Sequence, residues 1–285
     1  MFPKAVDQHK PDKPLISNGL GVIYVIISAV YLFTLHSYYN NSDPTFSAAA
    51  LALAVCILFG GFLGLLDDWM SLRWRYKAFL PLFAALPLAV MREALHPEST
   101  FMATYIFGKI DFGVYFYIVM IPLIVTVTTN VINQLGGLNG LETICPSIVM
   151  IGLMIKSGEG ALLYVIPLAV YLALACFNFA GKIFVGNTGS FAIGISLASY
   201  AMISNVEQTL LISIVPYIFN SSLILLNFFL FRTTARLVLE GNKLRSDHRR
   251  SLLTLIAHYR PLTEHKLVTV VAVIVAVFTA IAILV

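Results

Sequence analysis

Residues 46–77 read FSAAALALAVCILFGGFLGLLDDWMSLRWRYK. The first 21 of them carry no charge; Asp67 and Asp68 then end the run, and a basic, aromatic segment follows. A helix needs about 20 mostly apolar residues to cross the hydrocarbon of a bilayer, so residues 46–66 predict a membrane span. Comparable apolar runs lie on either side, near 19–36, 78–95, 114–132, 141–157, 160–179, 189–204, 209–230 and 266–285. The predicted fold is therefore all-α: a polytopic bundle of nine transmembrane helices in a single domain, 1–285. Composition agrees. Of the 285 residues 59% are hydrophobic and 11% charged, with a mean hydropathy of +0.88, whereas soluble domains are about a quarter charged. A β-barrel would alternate in short segments instead of running apolar for 20 residues. Cys56, Cys145 and Cys176 lie far apart inside apolar runs and suggest neither a disulfide framework nor a zinc site.

Basic residues set the orientation. With the N-terminus in the cytosol, 15 of the 18 Lys and Arg fall on inner segments, leaving only Arg92, Lys109 and Lys156 outside. That is the expected positive-inside bias. It makes residues 1–18 a polar, proline-rich cytosolic segment and 231–265 a long basic cytosolic loop.

Four polar clusters then share one membrane face. Gly60–Lys77 carries the aspartate pair, whose repulsion calls for a cation or a nearby Lys or Arg. Thr129–Glu142 (TNVINQLGGLNGLE) brings Asn130, Asn133, Asn139 and Glu142 around a Gly136–Gly137 turn. Amide oxygens can coordinate a hard cation, and amide edges can read a base. Phe184–Ser190 (FVGNTGS) opens a helix with a glycine-rich turn whose free N–H groups suit a phosphate. The 231–265 loop adds Arg232, Arg236, Arg245 and His248, which could cradle a pyrophosphate or lie on anionic headgroups. Together the clusters suggest metal-assisted phosphoryl chemistry.

These stretches resemble the polyprenyl-phosphate N-acetylhexosamine-1-phosphate transferases (glycosyltransferase family 4). The matching segments are KPDKPLISNGLG (10–21), GLLDDWMSLRWRYK (64–77), GKIDFGVYFY (108–117), TNVINQLGGLNGLE, FVGNTGS and, more loosely, RPLTEHKLV (260–268). The LRWR element and NQLGGLNG favour the archaeal and eukaryotic dolichyl branch over the muramoyl-pentapeptide branch. The resemblance implies transfer of GlcNAc-1-phosphate from UDP-GlcNAc to a polyprenyl (dolichyl) phosphate, with release of UMP and a requirement for Mg²⁺, Mn²⁺ being the substitute. It implies catalytic roles for Asp67, Asp68 and Lys77, metal ligation by Asn133 and Asn187, and nucleotide-sugar contacts from Asn130, Gly137, Asn139 and Glu142. Diphosphate or sugar contacts would fall to Arg232, Arg236, Arg245 and His248. The site would face the cytosol, in the cell membrane of an archaeon or the endoplasmic reticulum of a eukaryote. The implied partners are nucleotide sugar, lipid phosphate and membrane, with no nucleic acid; a homodimer is compatible.

Three departures from the family pattern stand out. Asn187 replaces an aspartate that serves as the second protein ligand of Mg²⁺, and FRTTARL (231–237) replaces an Arg-His-Arg cluster. The family has ten spans, so the reading of nine expects its first helix to be missing here. The alternatives are a catalytically weakened paralogue that binds nucleotide sugar or lipid phosphate, and a transferase for another UDP-N-acetylhexosamine. A transporter would place its polar site at the bilayer midplane between repeats, and neither feature is present.

Overall fold

The computed structural model describes residues 2–95, 100–104 and 108–285. Helices occupy all nine predicted apolar stretches: α1 (Gly21–Tyr39), α2 (Pro44–Met70), α4 (Pro81–Leu95), α5 (Ile121–Gln134, entered through a π turn), α6 (Leu141–Ser157), α7 (Val165–Phe179), α8 (Gly186–Ile203), the pair α9 (Glu207–Ser213) and α10 (Val215–Phe231), and α12 (Glu264–Leu284). Two shorter helices, α3 (Trp74–Phe79) and α11 (Leu252–Tyr259), lie between them. The protein is a polytopic helical membrane bundle, but the count of nine crossings is not reproduced. Among the described residues five helices are long and apolar enough to span, or six if α9 and α10 form one broken span. Length is part of the reason: the 15 residues of α4 reach only about 22 Å at 1.5 Å per residue.

One agreement with the expected spans and one departure have local causes. Residues Leu141–Phe179 pass as one 39-residue apolar helix, yet the Tyr171 hydroxyl donates to the Glu142 carbonyl at 2.6 Å. In a straight helix those residues would stand about 43 Å apart. The chain doubles back at Gly158, whose φ of +59° suits a residue without Cβ, so α6 and α7 are antiparallel as expected. The predicted span 209–230 is instead bent by 54° between α9 and α10. Pro216, in the first turn of α10, cannot donate the bond that would continue α9.

Helix α8 is the axis, with every residue from Thr188 to Ile203 buried. Small residues let its neighbours approach closely, as in membrane helix pairs generally. A Cβ on Gly194 would lie 2.7 Å from the Thr129 Cα of α5, and one on Gly60 of α2 would lie 3.0 Å from the Ala192 Cα. The bundle interior is also polar in places: Tyr24 donates to Ser196 Oγ at 2.8 Å, and the Tyr164 hydroxyl shares that oxygen at 2.8 Å.

The all-α reading needs three additions, each a two-stranded antiparallel pair. β1 (Lys4–Val6) and β2 (Leu15–Ser17) fold the N-terminal segment into a hairpin, with Lys4 opposite Ser17. β3 (Phe101–Thr104) pairs with β4 (Gly108–Asp111). β5 (Val238–Glu240) and β6 (Lys243–Arg245) order the basic 231–265 segment, which also holds α11, capped reciprocally by Ser251 and Thr254. That segment is folded structure and no bare loop.

Candidate functional site

The adjacent aspartates at the end of α2 point to different partners, because successive helical residues diverge by about 100°. Asp67 is 2% exposed, pairs with Lys77 Nζ of α3 at 2.7 Å and accepts the Leu72 N–H at 3.0 Å. Lys77 is thus the cation that balances the pair, while Arg73 and Arg75 on the same segment are exposed. Asp68 faces the other way. Its Oδ1 accepts from the Asn187 N–H at 2.9 Å, and its Oδ2 from the Thr188 N–H at 2.9 Å and the Thr188 hydroxyl at 2.7 Å. The carboxylate therefore caps α8 from a distant helix, where unpaired N–H groups and the helix dipole favour negative charge. The glycine-rich turn was expected to offer these N–H groups to a phosphate; Asp68 already takes two of them.

Gly64 makes this junction feasible. A Cβ there would sit 2.5 Å from the Thr188 Cα and closer still to the Asn187 carbonyl. Behind Thr188, the Ser190 hydroxyl donates to Asn133 Oδ1 at 3.2 Å and to the Asn187 carbonyl at 3.4 Å. Ser190 thereby ties the Asn133 side chain of α5 to the Asn187 backbone of α8.

Two cavities open beside this junction. One of about 340 Å³ is lined by Asp7, His9, Asn18, Asp68, Glu142 and Asn187, among others. The second, of about 210 Å³, is lined by Gln134, Asn220, Arg236 and Thr254, among others. His9 and Gly137 belong to both walls, so they divide a single cleft. Glu142 lies under the Gly136–Gly137 turn, accepting the Gly137 N–H; a Cβ on Gly136 would strike its carboxylate.

The remaining predicted residues scatter. Asn139 is buried at 1% exposure, with its amide on Asp7 and Glu264. Asn130 lies on the α3 side, donating to the Ala78 and Thr126 carbonyls at 3.2 and 2.8 Å, and does not line the cleft. Arg236 does line it, and its N–H donates to His248 Nε2 at 3.1 Å. Burial and Arg250 push that imidazole below the ordinary histidine value. Arg232 is exposed at the end of α10, and Arg245 pairs with Glu240 at 3.2 Å on the surface. Asp7, His9 and Asn18 line the cleft, while Thr188 bonds Asp68 and Glu264 accepts from Asn139 beside it; sequence reasoning did not single these residues out. Their spacing in the chain carries no common signal.

The residues offered for Mg²⁺ are two neutral amides. Among the described residues the carboxylates near them are engaged: Asp67 holds Lys77, Asp68 caps α8 and Glu142 is held by the glycine turn. Mg²⁺ sites normally use one or two carboxylates together with substrate phosphates, so these residues do not form a Mg²⁺ site by themselves.

The model of glycosyl transferase family 4 matches residues 50–205. A protein of Sulfolobus acidocaldarius, provisionally named UDP-N-acetylglucosamine–dolichyl-phosphate N-acetylglucosaminephosphotransferase, is 32% identical over 218 residues, covering 73% of this chain and 64% of that protein. The Dictyostelium discoideum UDP-N-acetylglucosamine–dolichyl-phosphate N-acetylglucosaminephosphotransferase is 29% identical over 239 residues (72% of this chain, 58% of that one). A phospho-N-acetylmuramoyl-pentapeptide-transferase of Prochlorococcus marinus is 27% identical over 240 residues (78% and 64%). The chain thus spans less than two thirds of the length of these relatives.

Proposed function

The chain belongs to glycosyl transferase family 4, and from that membership we propose that it transfers N-acetylglucosamine-1-phosphate from UDP-GlcNAc to a polyprenyl or dolichyl phosphate. The observation that carries the proposal is the junction of α2 and α8. Within the matched region it sets Asp67 with Lys77, Asp68 with the Asn187–Thr188 turn, and Glu142 with Gly137 around one end of the bundle. The positive-inside bias of the nine-span reading supports a cytosolic position for that end, where a nucleotide sugar is available, with the lipid phosphate arriving from the bilayer.

In the proposed reaction an acceptor phosphate oxygen attacks the β-phosphorus of UDP-GlcNAc. The bond from that phosphorus to the bridging oxygen breaks, and UMP leaves with the bond's electron pair. A phosphate monoester has a second pKa of about 6, so the acceptor is ionised at neutral pH and needs no strong base. The protein's task is then to position and to neutralise charge. Lys77, held at 2.7 Å by buried Asp67, is the cation for the acceptor phosphate. Mg²⁺ or Mn²⁺ would enter with the diphosphate, which supplies the charge that Asn133 and Asn187 lack.

The test is transfer of radiolabel from UDP-GlcNAc to a polyprenyl phosphate by purified protein, with and without Mg²⁺, beside Asp68→Asn and Asn187→Asp. Mg²⁺-dependent product that disappears in Asp68→Asn is expected. Turnover only in Asn187→Asp would instead identify the weakened paralogue, a reading that the missing carboxylate at 187 favours. UDP-N-acetylgalactosamine in the same assay tests the sugar.

A further inference from the structure

Helix α6 carries a proline, Pro146, close to its start. In a regular α-helix the Glu142 carbonyl accepts from the N–H of residue 146. Proline has no N–H, and its ring crowds that same carbonyl. The Glu142 carbonyl instead accepts the Tyr171 hydroxyl of α7 at 2.6 Å. Tyr171 is fully buried and packs edge-on against Tyr24 of α1, with ring centroids 5.0 Å apart; Tyr24 is itself bonded to Ser196 of α8. The donor is thus held in place by helices other than the one it serves. On the far side of the same residue, the Glu142 carboxylate accepts the Gly137 N–H, and Gly137 belongs to both walls of the cleft. A second grip comes from the same face of α7, where Asn178 Oδ1 accepts the Gly140 N–H at 2.8 Å and the Thr143 hydroxyl at 3.1 Å.

We propose that Tyr171 is a positioning residue for the cleft: its hydroxyl replaces the N–H that Pro146 lacks and fixes the turn of α6 from which Glu142 holds Gly137. Neither Tyr171 nor Pro146 lines the cleft, so both act through Glu142. A buried carbonyl without a donor is costly, and with proline at 146 the donor has to come from outside the helix. Asn178 keeps Gly140 and Thr143 in place whatever stands at 171, so loss of the hydroxyl frees Glu142 and leaves the start of α6 anchored. As a contribution to transfer, this role rests on the transferase reading; as a contact between helices it does not.

The test is rescue. Tyr171→Phe removes the hydroxyl and keeps the ring against Tyr24; adding Pro146→Ala returns an N–H to the Glu142 carbonyl from within the helix. In the full chain in detergent, with glycine-selective isotope labelling, protection of the Gly137 amide from exchange should fall by about 10-fold in Tyr171→Phe, the size of one hydrogen bond, while Gly194 of α8 keeps its protection. In the double variant Gly137 should return to the parent's value. Pro146→Ala alone should keep it too, since a carbonyl oxygen has two lone pairs and can take both donors. In the transfer assay the KM for UDP-GlcNAc should rise by about 10-fold in Tyr171→Phe with kcat unchanged, the mark of lost uniform binding, and should fall back in the double variant. If Tyr171→Phe does not fold, the double variant should fold; failure of both overturns the proposal. Unchanged Gly137 protection in Tyr171→Phe, a loss shared equally by Gly194, or a double variant no better than the single likewise overturns it. A parent that transfers nothing refutes the transferase reading, and the exchange pattern then decides the role of Tyr171 by itself.

Discussion

Replacing Gly64 by alanine adds one methyl group at the junction on which the site rests. The new Cβ would lie 2.5 Å from the Thr188 Cα, whereas carbon atoms rest about 3.5 Å apart. The obstacle is backbone, so no side chain can rotate away and α2 must part from the start of α8 by about 1 Å. Asp68 bridges that same gap with bonds of 2.7, 2.9 and 2.9 Å, which would stretch to about 3.7–3.9 Å, past hydrogen-bonding range. Overpacking alone costs about 1–3 kcal/mol, and bonds to a charged group are worth about 1.5–3 kcal/mol each. With even one of the three bonds lost outright the sum is about 2.5–6 kcal/mol, and a displacement of 1 Å at the site should slow transfer by about 100-fold. Gly60→Ala, whose Cβ would stand 3.0 Å from Ala192, should be milder in both respects. Thermal unfolding in detergent and radiolabel transfer read the two effects. A Gly64→Ala protein that melts within a degree of the parent and transfers within twofold would refute the role assigned to the α2–α8 contact.

Lys77→Met leaves Asp67 buried with one hydrogen bond; because Lys77 is 31% exposed and water partly screens the pair, the cost should be about 1–3 kcal/mol, with transfer lost at every acceptor concentration. Arg92→Met acts at the opposite end of the bundle, where the fully buried guanidinium pairs with Glu207 at 3.2 Å and donates to Asn205 Oδ1 at 2.7 Å. Melting should show a loss of about 3–5 kcal/mol, with the KM for UDP-GlcNAc in the surviving folded protein unchanged. His248 gives a pH dependence. Its pKa is lowered in the fold, so its contribution is complete above the ordinary value of 6.5 and is lost as pH falls through the depressed folded value. Protection of the Arg236 amide from exchange, relative to its intrinsic rate at each pH, should fall in the parent as pH drops below 6.5 through the depressed value, and His248→Gln should abolish that pH dependence.

The helices were legible because a bilayer leaves a coarse signal, long runs without charge. The break at α9–α10 was not: residues 209–230 read as one span, although Pro216 stands inside the run. What the sequence could not express is where a charge points. Arg92 was counted as an outer-loop cation, yet it is fully buried, because its partners Met202, Asn205 and Glu207 lie over a hundred residues away. The aspartate pair, Lys77 and the glycine turn were each visible. Their division into Asp67 with Lys77 and Asp68 with α8 depends on the rotation of α2 against two neighbours, which no local pattern encodes. The N-terminal segment looked like a polar tail because its six strand residues are too few to show alternation; its hairpin exists through pairing, and Asp7 reaches the cleft only because of it.

The same geometry bears on why position 187 can be an amide. The start of α8 already holds one carboxylate, Asp68, whose three bonds match the donors that Asn187 and Thr188 present. A second carboxylate at 187 would stand beside the first at the mouth of the cleft. The helix dipole, equivalent to about half a charge, cannot neutralise both, so such a site would lean on a cation. Asparagine removes that need and lets this end of the bundle stand without one. Asn187→Asp should therefore make stability depend on Mg²⁺: melting in EDTA should fall below the parent, and Mg²⁺ at about 100 times its Kd should restore about 2.7 kcal/mol. The parent, without nucleotide sugar, should melt alike in EDTA and in Mg²⁺. A parent that gains as much from Mg²⁺ as Asn187→Asp would mean that the two amides already hold the ion, and the argument from charge would fail.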